Sequence, residues 1–532
     1  MNINKPLSIL AFIGITLYFA ILSVSFFRET ESIAAETETR ALPKTQYAEA
    51  AVRHVRSLTP LQSPQTFVTY RTDKHLDGYL QQQNLYEEYV KRYETGYPLE
   101  YFTVEVRDDA VRAHYEVDLH YRDGKVIGWR NLNAGPNKTA GPEETGEIAA
   151  AYVRRQGYDL SQFDMRKETG LAEQVFFESR DHKIGAAHLR LAVDVRGGEV
   201  SGFRSGFVVP DSYLDWQSAQ DRIASVLTSI SLGTAFAMSL AAIIIMVRYR
   251  KTVRFSRGIL LSLVYLAIYV ANNLNLYPSY KAAEGEYVNG LAAVLLLVFL
   301  NFVTLLLAVS LYLSLLSGLV LWRRLGSHPW PHWTEAHFRE ETLRGMGRGY
   351  LLAFFLLGVQ QLLFWIGETQ FGVWAVRDAA NSVHNMFSPA LFPLMAWAAA
   401  ISEEAVYRLF GIALFKKLLR SNFLAVLVPS MIWALGHTQY PIYPVYTRFV
   451  EVTVLGIIFG YAFLRYGFIT VVFAHAAMNS ILMGMSLMFL GTEEAAAGLF
   501  YMLSPALAGY LIYLLHSFRR RKDPPILPEA NG

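Results

Sequence analysis

Apolar segments long enough to cross a lipid bilayer alternate with short polar segments along most of this chain. A helical crossing requires about 18 or more predominantly apolar residues, at a rise of about 1.5 Å per residue. Segments 423–437 and 450–466 are short by this measure, and 290–322 is long for one crossing. The ten predicted spans are 7–27, 225–247, 258–277, 290–322, 350–367, 388–415, 423–437, 450–466, 468–489 and 498–517.

Residues 30–222 follow a different pattern, in which apolar and polar positions alternate. YEVDLHYRDGKVIGWR alternates around Asp123-Gly124, and LRLAVDVRGGEVSGFR does so around Gly197-Gly198, which predicts two β-hairpins. The hairpins match each other in register from Arg122–Arg130 to Arg196–Arg204, and a helical pattern precedes each (YAEAAVRHVRSL and EETGEIAAAYVRRQG). We therefore expect two helix-plus-hairpin units that pack as a pair.

The two patterns together predict a polytopic α-helical membrane protein of about ten transmembrane helices with an inserted α+β extracytoplasmic domain. The first apolar segment has a cleaved signal peptide as its alternative, but its apolar run is longer than a usual signal core, which favours an uncleaved anchor. The predicted regions are an N-terminal anchor (1–29), the α+β domain (30–222), helices with a cytoplasmic loop (223–385), a core with the candidate chemistry (386–490), and a last helix with a basic cytoplasmic tail (491–532).

Basic residues are concentrated in the loops that this arrangement places on one side of the membrane. They occur at 248–257, 323–324, 416–420 and 519–522. The positive-inside rule assigns these loops to the cytoplasm, so both termini are expected to be cytoplasmic. The net charge of +3 mostly reflects these loops and therefore does not indicate a nucleic-acid partner. The absence of cysteine excludes disulfides, thiolate zinc sites and a cysteine nucleophile.

Ionisable and amide side chains interrupt three successive apolar segments near the end of the chain. A charge in a membrane segment costs a few kcal/mol, so such residues mark functional sites by default. Helical rise places the residues of the three segments within one or two turns of a common depth, and we expect them to converge. They are Glu403, Glu404, Arg408, His437, His475 and Asn479.

These residue types suit the hydrolysis of a peptide bond. A glutamate can act as general base on water with help from a histidine, while a second histidine and an amide can donate to an oxyanion. Glu404 and Arg408 are four residues apart and can form a charge pair that reduces the cost of burial. Each residue alone has an ordinary structural explanation, and the functional interpretation depends on the combination.

The three motifs, in order, resemble the CPBP intramembrane proteases, which include the type II CAAX prenyl endopeptidases. The motifs are Glu403-Glu404-x-x-x-Arg408, Trp433 to His437 (WALGH), and His475-x-x-x-Asn479, and the resemblance covers residues 388–485. Trp433 stands where the family often has phenylalanine. The resemblance implies an endopeptidase that acts inside the bilayer on membrane-associated or lipidated proteins and peptides.

The resemblance also implies a division of labour among the site residues. Glu403 and His437 would activate the water, His475 and Asn479 would stabilise the oxyanion, and Glu404 and Arg408 would support the site. Metal dependence stays open: Glu403, His437 and His475 could ligate Zn²⁺, but HExxH is absent, and a metal-free mechanism uses the same residues.

Two other functions compete with the protease hypothesis. A transporter would use the polar residues as a pathway, although the membrane region shows no internal repeat. A non-catalytic sensor would relay ligand binding by the exported region, which resembles PepSY or cystatin-like modules by pattern. That region is expected either to bind an extracytoplasmic partner or ligand, or to serve as a spacer.

Overall fold

The computed structural model describes residues 4–33, 41–134, 142–168, 173–281, 290–488, 490 and 492–522. An eight-stranded sheet with its own helices stands on one end of a region of long apolar helices. We call this end of the helical region the sheet side. The last ten residues of the predicted basic tail lie outside the described residues.

The long and short helices follow one another through the chain. They are α1 (Lys5–Ile33), α2 (Lys44–Leu58), α3 (Lys74–Gln82), α4 (Tyr86–Arg92), α5 (Pro142–Arg155), α6 (Asp211–Tyr249), α7 (Ile259–Asn275), α8 (Tyr277–Lys281), α9 (Gly290–Arg324), α10 (Phe338–Phe371), α11 (Met395–Glu403), α12 (Ala413–Leu419), α13 (Asn422–Leu435), α14 (Val445–Met488) and α15 (Thr492–Lys522). Residues Glu404–Ile412 form a π-helix between α11 and α12.

Ten strands complete the regular structure. They are β1 (Gln65–Thr72), β2 (Glu100–Asp108), β3 (Ala113–His120), β4 (Val126–Asn131), β5 (Phe163–Glu168), β6 (Glu173–Ile184), β7 (Ala187–Arg196), β8 (Glu199–Val208), β9 (Trp374–Ala375) and β10 (Ile442–Tyr443). The first eight form one antiparallel sheet in the order β1-β2-β3-β4-β8-β7-β6-β5, and β9 pairs with β10.

The large sheet is built from two four-stranded halves that meet at β4 and β8. Trp129 lies opposite Phe203 across this seam, so the two positions that match in the sequence repeat pair with each other. Both predicted hairpins are present, and the β7–β8 turn has positive φ at Gly197 (62°) and Gly198 (81°), as a two-residue hairpin turn requires. Helices α2 and α5 contact the sheet, as the repeat predicted, although each unit has four strands instead of two.

Six helices in the described part of the chain are long and apolar enough to cross a membrane. They are Lys5–Ser23, Asp211–Thr252, Leu291–Arg324, Phe338–Phe371, Val445–Met488 and Glu494–Arg519. The predicted spans 258–277 and 423–437 correspond to shorter apolar helices, and 388–415 is divided among several helical pieces. A membrane location is therefore supported, while the number of ten crossings and the orientation of the termini stay predictions.

Helix α14 contains a chain reversal at Gly467, whose φ of 82° and ψ of 178° are not helical. Phe459 and His475 would lie about 24 Å apart in an unbroken helix, at 1.5 Å per residue. Their ring centroids are 5.2 Å apart, so the two arms fold back on each other. The predicted spans 450–466 and 468–489 are these two arms.

The sheet and the helical region are connected by both covalent and non-covalent contacts. Helix α6 begins in the sheet core, where Tyr213 is buried, and runs past the predicted boundary at 222 into the helical region. The segment between β9 and α11 contacts the edge strand β1: Asn385 accepts from the Tyr70 amide at 2.8 Å and donates to the Tyr70 carbonyl at 2.9 Å. Arg377 pairs with Glu100 at 2.7 Å.

Candidate active site

The two adjacent glutamates lie where helix α11 changes into a π-helix. Glu403 is the last residue of α11 and Glu404 the first of the π-helical segment. Short π-helical segments inside α-helices are frequent at functional sites. The indole of Trp322 on α9 donates to the Leu409 carbonyl at 2.8 Å, which satisfies one backbone acceptor of the widened helix.

Glu404, Arg408 and His475 form a buried ionic group. Oε1 of Glu404 accepts from Nη1 of Arg408 at 3.0 Å and from Nδ1 of His475 at 2.8 Å. The Glu404 side chain is fully buried, and the other two are almost so. Because a carboxylate only accepts hydrogen bonds, Nδ1 of His475 carries the proton.

Glu403 lies on the other side of the same histidine and is more accessible. Its Oε2 accepts from the Trp433 indole at 2.5 Å and lies 3.7 Å from Nε2 of His475. Its side chain is 23% exposed, against 0% for Glu404. Two residues that are adjacent in sequence therefore have different environments, and Glu403 is the one that water can reach.

Aromatic rings surround Arg408 and His475. The Arg408 guanidinium lies 4.2 Å from the Trp433 ring centroid and 5.1 Å from that of Phe459. The His475 ring is in contact with Phe459. Cation–π contacts of this kind reduce the cost of a desolvated charge. Phe459 was not predicted, because one more phenylalanine in an apolar helix carries no signal in the sequence.

His437 is connected to this group through Trp433. Its Nδ1 donates to the Trp433 carbonyl at 2.8 Å, and the two ring centroids are 5.0 Å apart. A carbonyl oxygen can only accept, so Nε2 of the neutral imidazole is free of a proton and can act as acceptor. The other face of the ring is stacked with Tyr440 at 5.9 Å.

Asn479 is the predicted site residue that the structure leaves apart from the others. It lies one turn beyond His475 on the second arm of α14 and is half-buried. Its side chain makes no hydrogen bond to the residues that the structure describes. The structure thus brings Glu403, Glu404, Arg408 and His475 into direct contact and places His437 next to them, whereas Asn479 lies one helical turn from His475 without a hydrogen bond to the group.

Four tyrosines lie within electrostatic range of the accessible glutamate, and nothing in the sequence selects them. Each interacts electrostatically with the Glu403 carboxylate. They come from α7, the π-helix and the loop after α13, so no sequence spacing could reveal them. They are Tyr265, Tyr269, Tyr407 and Tyr440.

The proposed zinc ligands Glu403, His437 and His475 do not form a ligand set. The histidine tautomers alone would allow ligation, because each ring donates from Nδ1, to a backbone carbonyl in His437 and to Glu404 in His475, as zinc-ligating histidines commonly do. Among the residues that the structure describes, no group of three or more His, Cys, Asp or Glu side chains is arranged to hold a metal ion. The arrangement of the described side chains thus supplies no preformed zinc centre; metal dependence stays a prediction, and no chemical step is assigned to a metal.

The part of the chain that contains this site matches a family of known proteins. Residues 385–481 match the family described as type II CAAX prenyl endopeptidase Rce1-like. This range contains all six candidate residues. The match implies CAAX-type intramembrane protease activity and supports a location in a membrane. The resemblance of the region that forms the eight-stranded sheet to PepSY or cystatin-like modules has no counterpart among these matches and stays a prediction.

A more specific likeness extends over a larger part of the chain. The sporulation-killing factor biosynthesis protein SkfC of Bacillus subtilis (strain 168) is 24% identical over 334 residues, which cover 60% of this chain and 64% of that protein. The chain therefore spans less than two thirds of the length of this relative. No solved structure shows a significant match to the chain.

Proposed function

We propose that this protein is an intramembrane endopeptidase that hydrolyses a peptide bond of a membrane-associated or lipidated substrate with a water molecule activated by Glu403. The observation that carries the proposal is the position of His475 between two glutamates in different environments. Nδ1 of His475 faces buried Glu404, and Nε2 faces accessible Glu403. The match to the Rce1-like family over residues 385–481 supports the same reaction class.

Glu403 is the general base in this proposal. One of its oxygens is held by the Trp433 indole at 2.5 Å, which fixes the carboxylate and leaves the other oxygen to accept from water. Glu404 cannot take this role because it is fully buried and holds Arg408 and His475. General-base catalysis contributes typically about 10²–10⁴-fold to a rate.

His475 is the proposed oxyanion donor, in its protonated form. Its Nδ1–H is already donated to Glu404, so a second donor at Nε2 requires the imidazolium ion. The carboxylates of Glu404 and Glu403 on either side of the ring stabilise that charge. With Arg408, the four groups then sum to zero net charge, which suits a site at membrane depth.

The reaction follows from these positions. Glu403 removes a proton from water while the water oxygen bonds to the substrate carbonyl carbon, and the carbonyl electron pair moves onto oxygen. His475 Nε2–H and the Asn479 amide donate to this oxyanion. The C–N bond then breaks as the carbonyl re-forms, and Glu403 returns its proton to the leaving amine. His437 Nε2 accepts the second water hydrogen and orients the nucleophile.

The descriptions of the similar proteins support a proposal about the class of substrate. The matched family is described as a CAAX prenyl endopeptidase, and SkfC is named as a protein of sporulation-killing factor biosynthesis. We infer that this chain cleaves a precursor that reaches the site from the membrane. The exported sheet presents that precursor or senses it.

Cleavage in proteoliposomes tests the proposal. Wild type, Glu403→Gln and His475→Ala are compared on a mixed membrane-peptide library read by mass spectrometry, with and without a chelator. Glu368→Gln, at an exposed glutamate near the end of α10, is the matched control. Cleavage by wild type and control that both site variants lose supports the protease. Equal product patterns from all four folded proteins would contradict it and favour a transporter or non-catalytic sensor.

A further inference from the structure

A chamber lies between the exported sheet and the sheet side of the helical region. It has a volume of about 970 Å³ and is bordered by the edge strand β1, by α6, and by the segment that contains Asn385. Pockets that hold drug-sized ligands have volumes of about 300–1,000 Å³, so the chamber is large enough for a short peptide segment. The candidate active site contributes none of its six residues to this lining.

The chamber is nevertheless adjacent to that site. Gln439 lines it and follows His437 by two residues in the chain. The intervening Thr438 is buried and donates to the Ala224 carbonyl of α6 at 3.2 Å, and Ala224 also lines the chamber. A ligand in the chamber therefore lies next to the loop after α13, which carries His437.

The charges of the lining residues favour a peptide over a phosphate-bearing lipid headgroup. A polyanion would require an excess of positive charge, but Arg204 is paired with Asp118 at 3.1 Å and Arg377 with Glu100 at 2.7 Å. Both arginines line the chamber together with carboxylates such as Asp221. Donors and acceptors in similar numbers match the alternating N–H and C=O groups of an extended backbone.

The edge strand of the sheet is a second reason to expect a peptide ligand in the chamber. Tyr70, Arg71 and Thr72 of β1 line the chamber, and β1 is the outermost strand of the sheet on that side. Peptides often bind to proteins by extending along such an edge. The side-chain amide of Asn385 already forms two hydrogen bonds with the Tyr70 backbone, as a neighbouring strand would. This edge therefore accepts polar groups that resemble a peptide backbone.

We propose that this chamber binds the polar peptide segment that flanks the scissile bond of the substrate on the sheet side of the membrane. The inference rests on the proposed protease function and adds a site at which substrates are selected. The exported sheet then takes part in substrate binding, and the length and charge of the flanking segment become determinants of specificity.

Two serines on one face of α6 provide a matched test. Ser225 is exposed and lines the chamber, whereas Ser229 is exposed one turn further along and does not. A benzophenone amino acid is placed at either position in a Glu403→Gln background, which removes turnover. The probes are the membrane peptides of the cleavage library, each synthesised with and without a short polar flank.

Crosslinking of the flanked peptides at position 225, with little at 229 and little for peptides that lack the flank, supports the proposal. Equal crosslinking at both positions, or crosslinking that ignores the flank, would overturn it. This readout requires no cleavage, so an inactive wild type would contradict the protease function without deciding the chamber.

Turnover gives a second readout when wild type is active. Ser225→Trp places an indole in part of the chamber and is expected to raise KM at least several-fold for flanked peptides, with kcat and the cleavage of unflanked peptides unchanged. Ser229→Trp is expected to behave as wild type. Unchanged KM for flanked peptides in folded Ser225→Trp would refute the proposal.

Discussion

Oε1 of Glu404 lies 2.8 Å from Nδ1 of His475, although the two residues come from different helices and are far apart in the chain. This contact holds a proton on Nδ1 of the histidine and turns Nε2 toward Glu403 at 3.7 Å. The buried glutamate thereby sets the protonation and orientation of the histidine ring. The accessible glutamate remains free to activate water. Adjacent residues of one motif thus have separate tasks in the proposed reaction.

Removal of the Glu404 charge is expected to destabilise the protein as well as inactivate it. In Glu404→Gln, the Arg408 guanidinium, which is 1% exposed, keeps its charge but loses its counter-ion. Breaking a buried ion pair on one side typically costs about 3–5 kcal/mol. Chemical unfolding in detergent micelles should show a loss of this size, whereas Glu403→Gln, at the more exposed carboxylate, should lose activity with little change in stability.

The double variant separates charge from packing. Glu404→Leu with Arg408→Met removes both charges and keeps apolar volume, so it should recover part of the stability lost in Glu404→Gln, without activity. A double variant as unstable as the single one would show that the pair contributes through shape and hydrogen bonds instead of charge balance.

The close contact between α9 and the π-helix should make Gly318 intolerant of a side chain. A Cβ at Gly318 would lie 2.9 Å from the Leu409 carbonyl oxygen, which also accepts from Trp322. Overpacking of this kind costs typically about 1–3 kcal/mol. Gly318→Ala should therefore lower the unfolding free energy and the cleavage rate together. Gly233→Ala is the control, because nothing lies within 4 Å of its Cβ position; equal effects of both substitutions would argue against the contact.

Substitution of Asn385 should loosen the contact between the sheet and the segment that leads into α11. Asn385→Leu keeps the side-chain size but leaves the Tyr70 amide and carbonyl without their partner, at a cost of about 1–3 kcal/mol for each buried group. Hydrogen exchange at Tyr70 should become faster. Asn422→Leu, at an exposed asparagine, should leave this exchange unchanged. Unaltered protection at Tyr70 in Asn385→Leu would contradict the assigned role.

Acidification should weaken the same contact through His384. Its ring lies 4.9 Å from that of Tyr70, and burial lowers the pKa of His384 below the ordinary value of 6.5, with nearby Glu100 opposing this and Lys44 adding to it. The docked segment therefore favours the neutral ring. Docking is strongest above pH 6.5 and weakens as the pH falls from 6.5 to the lowered pKa, because only the undocked ring gains a proton there.

Limited proteolysis of the segment around His384 on either side of pH 6.5 measures this effect. His384→Phe keeps an aromatic ring beside Tyr70 and cannot titrate, so its cleavage rate should lose the pH dependence in this interval. A wild type whose proteolysis does not change across the interval would exclude a titrating contact at this position.

The sequence predicted those features that depend on local pattern. The turns at Asp123-Gly124 and Gly197-Gly198, the helices before each hairpin and the two arms around Gly467 follow from turn chemistry and hydrophobic period. The continuous eight-stranded sheet did not follow, because pairing of β4 with β8 depends on strand edges that are distant in sequence. The division of 388–415 into several helical pieces was not predicted either, although Pro389 and Pro393 are signals for a helix break near its start.

The candidate residues could be selected from the sequence, but the contacts among them could not. Charged groups in apolar segments identified Glu403, Glu404 and Arg408, since such groups are costly there. Nothing in the sequence indicates that His475 contacts Glu404 through Nδ1, that Trp433 holds Glu403, or that Phe459 covers the guanidinium. These contacts depend on how α11, α13 and α14 cross, which the order of residues along each helix does not define.

The seam between Trp129 and Phe203 has a mechanical consequence. Because β4 and β8 pair directly, the two halves form one continuous sheet. Its outer strands are separated by seven interstrand spacings, about 34 Å at roughly 4.8 Å each. One end, β1, is attached at Tyr70 to the chain that enters α11, and the other end, β5, projects away from it. A displacement of β5 would therefore be transmitted through the hydrogen-bonded strands to β1 and to the segment that enters α11, the helix that carries Glu403.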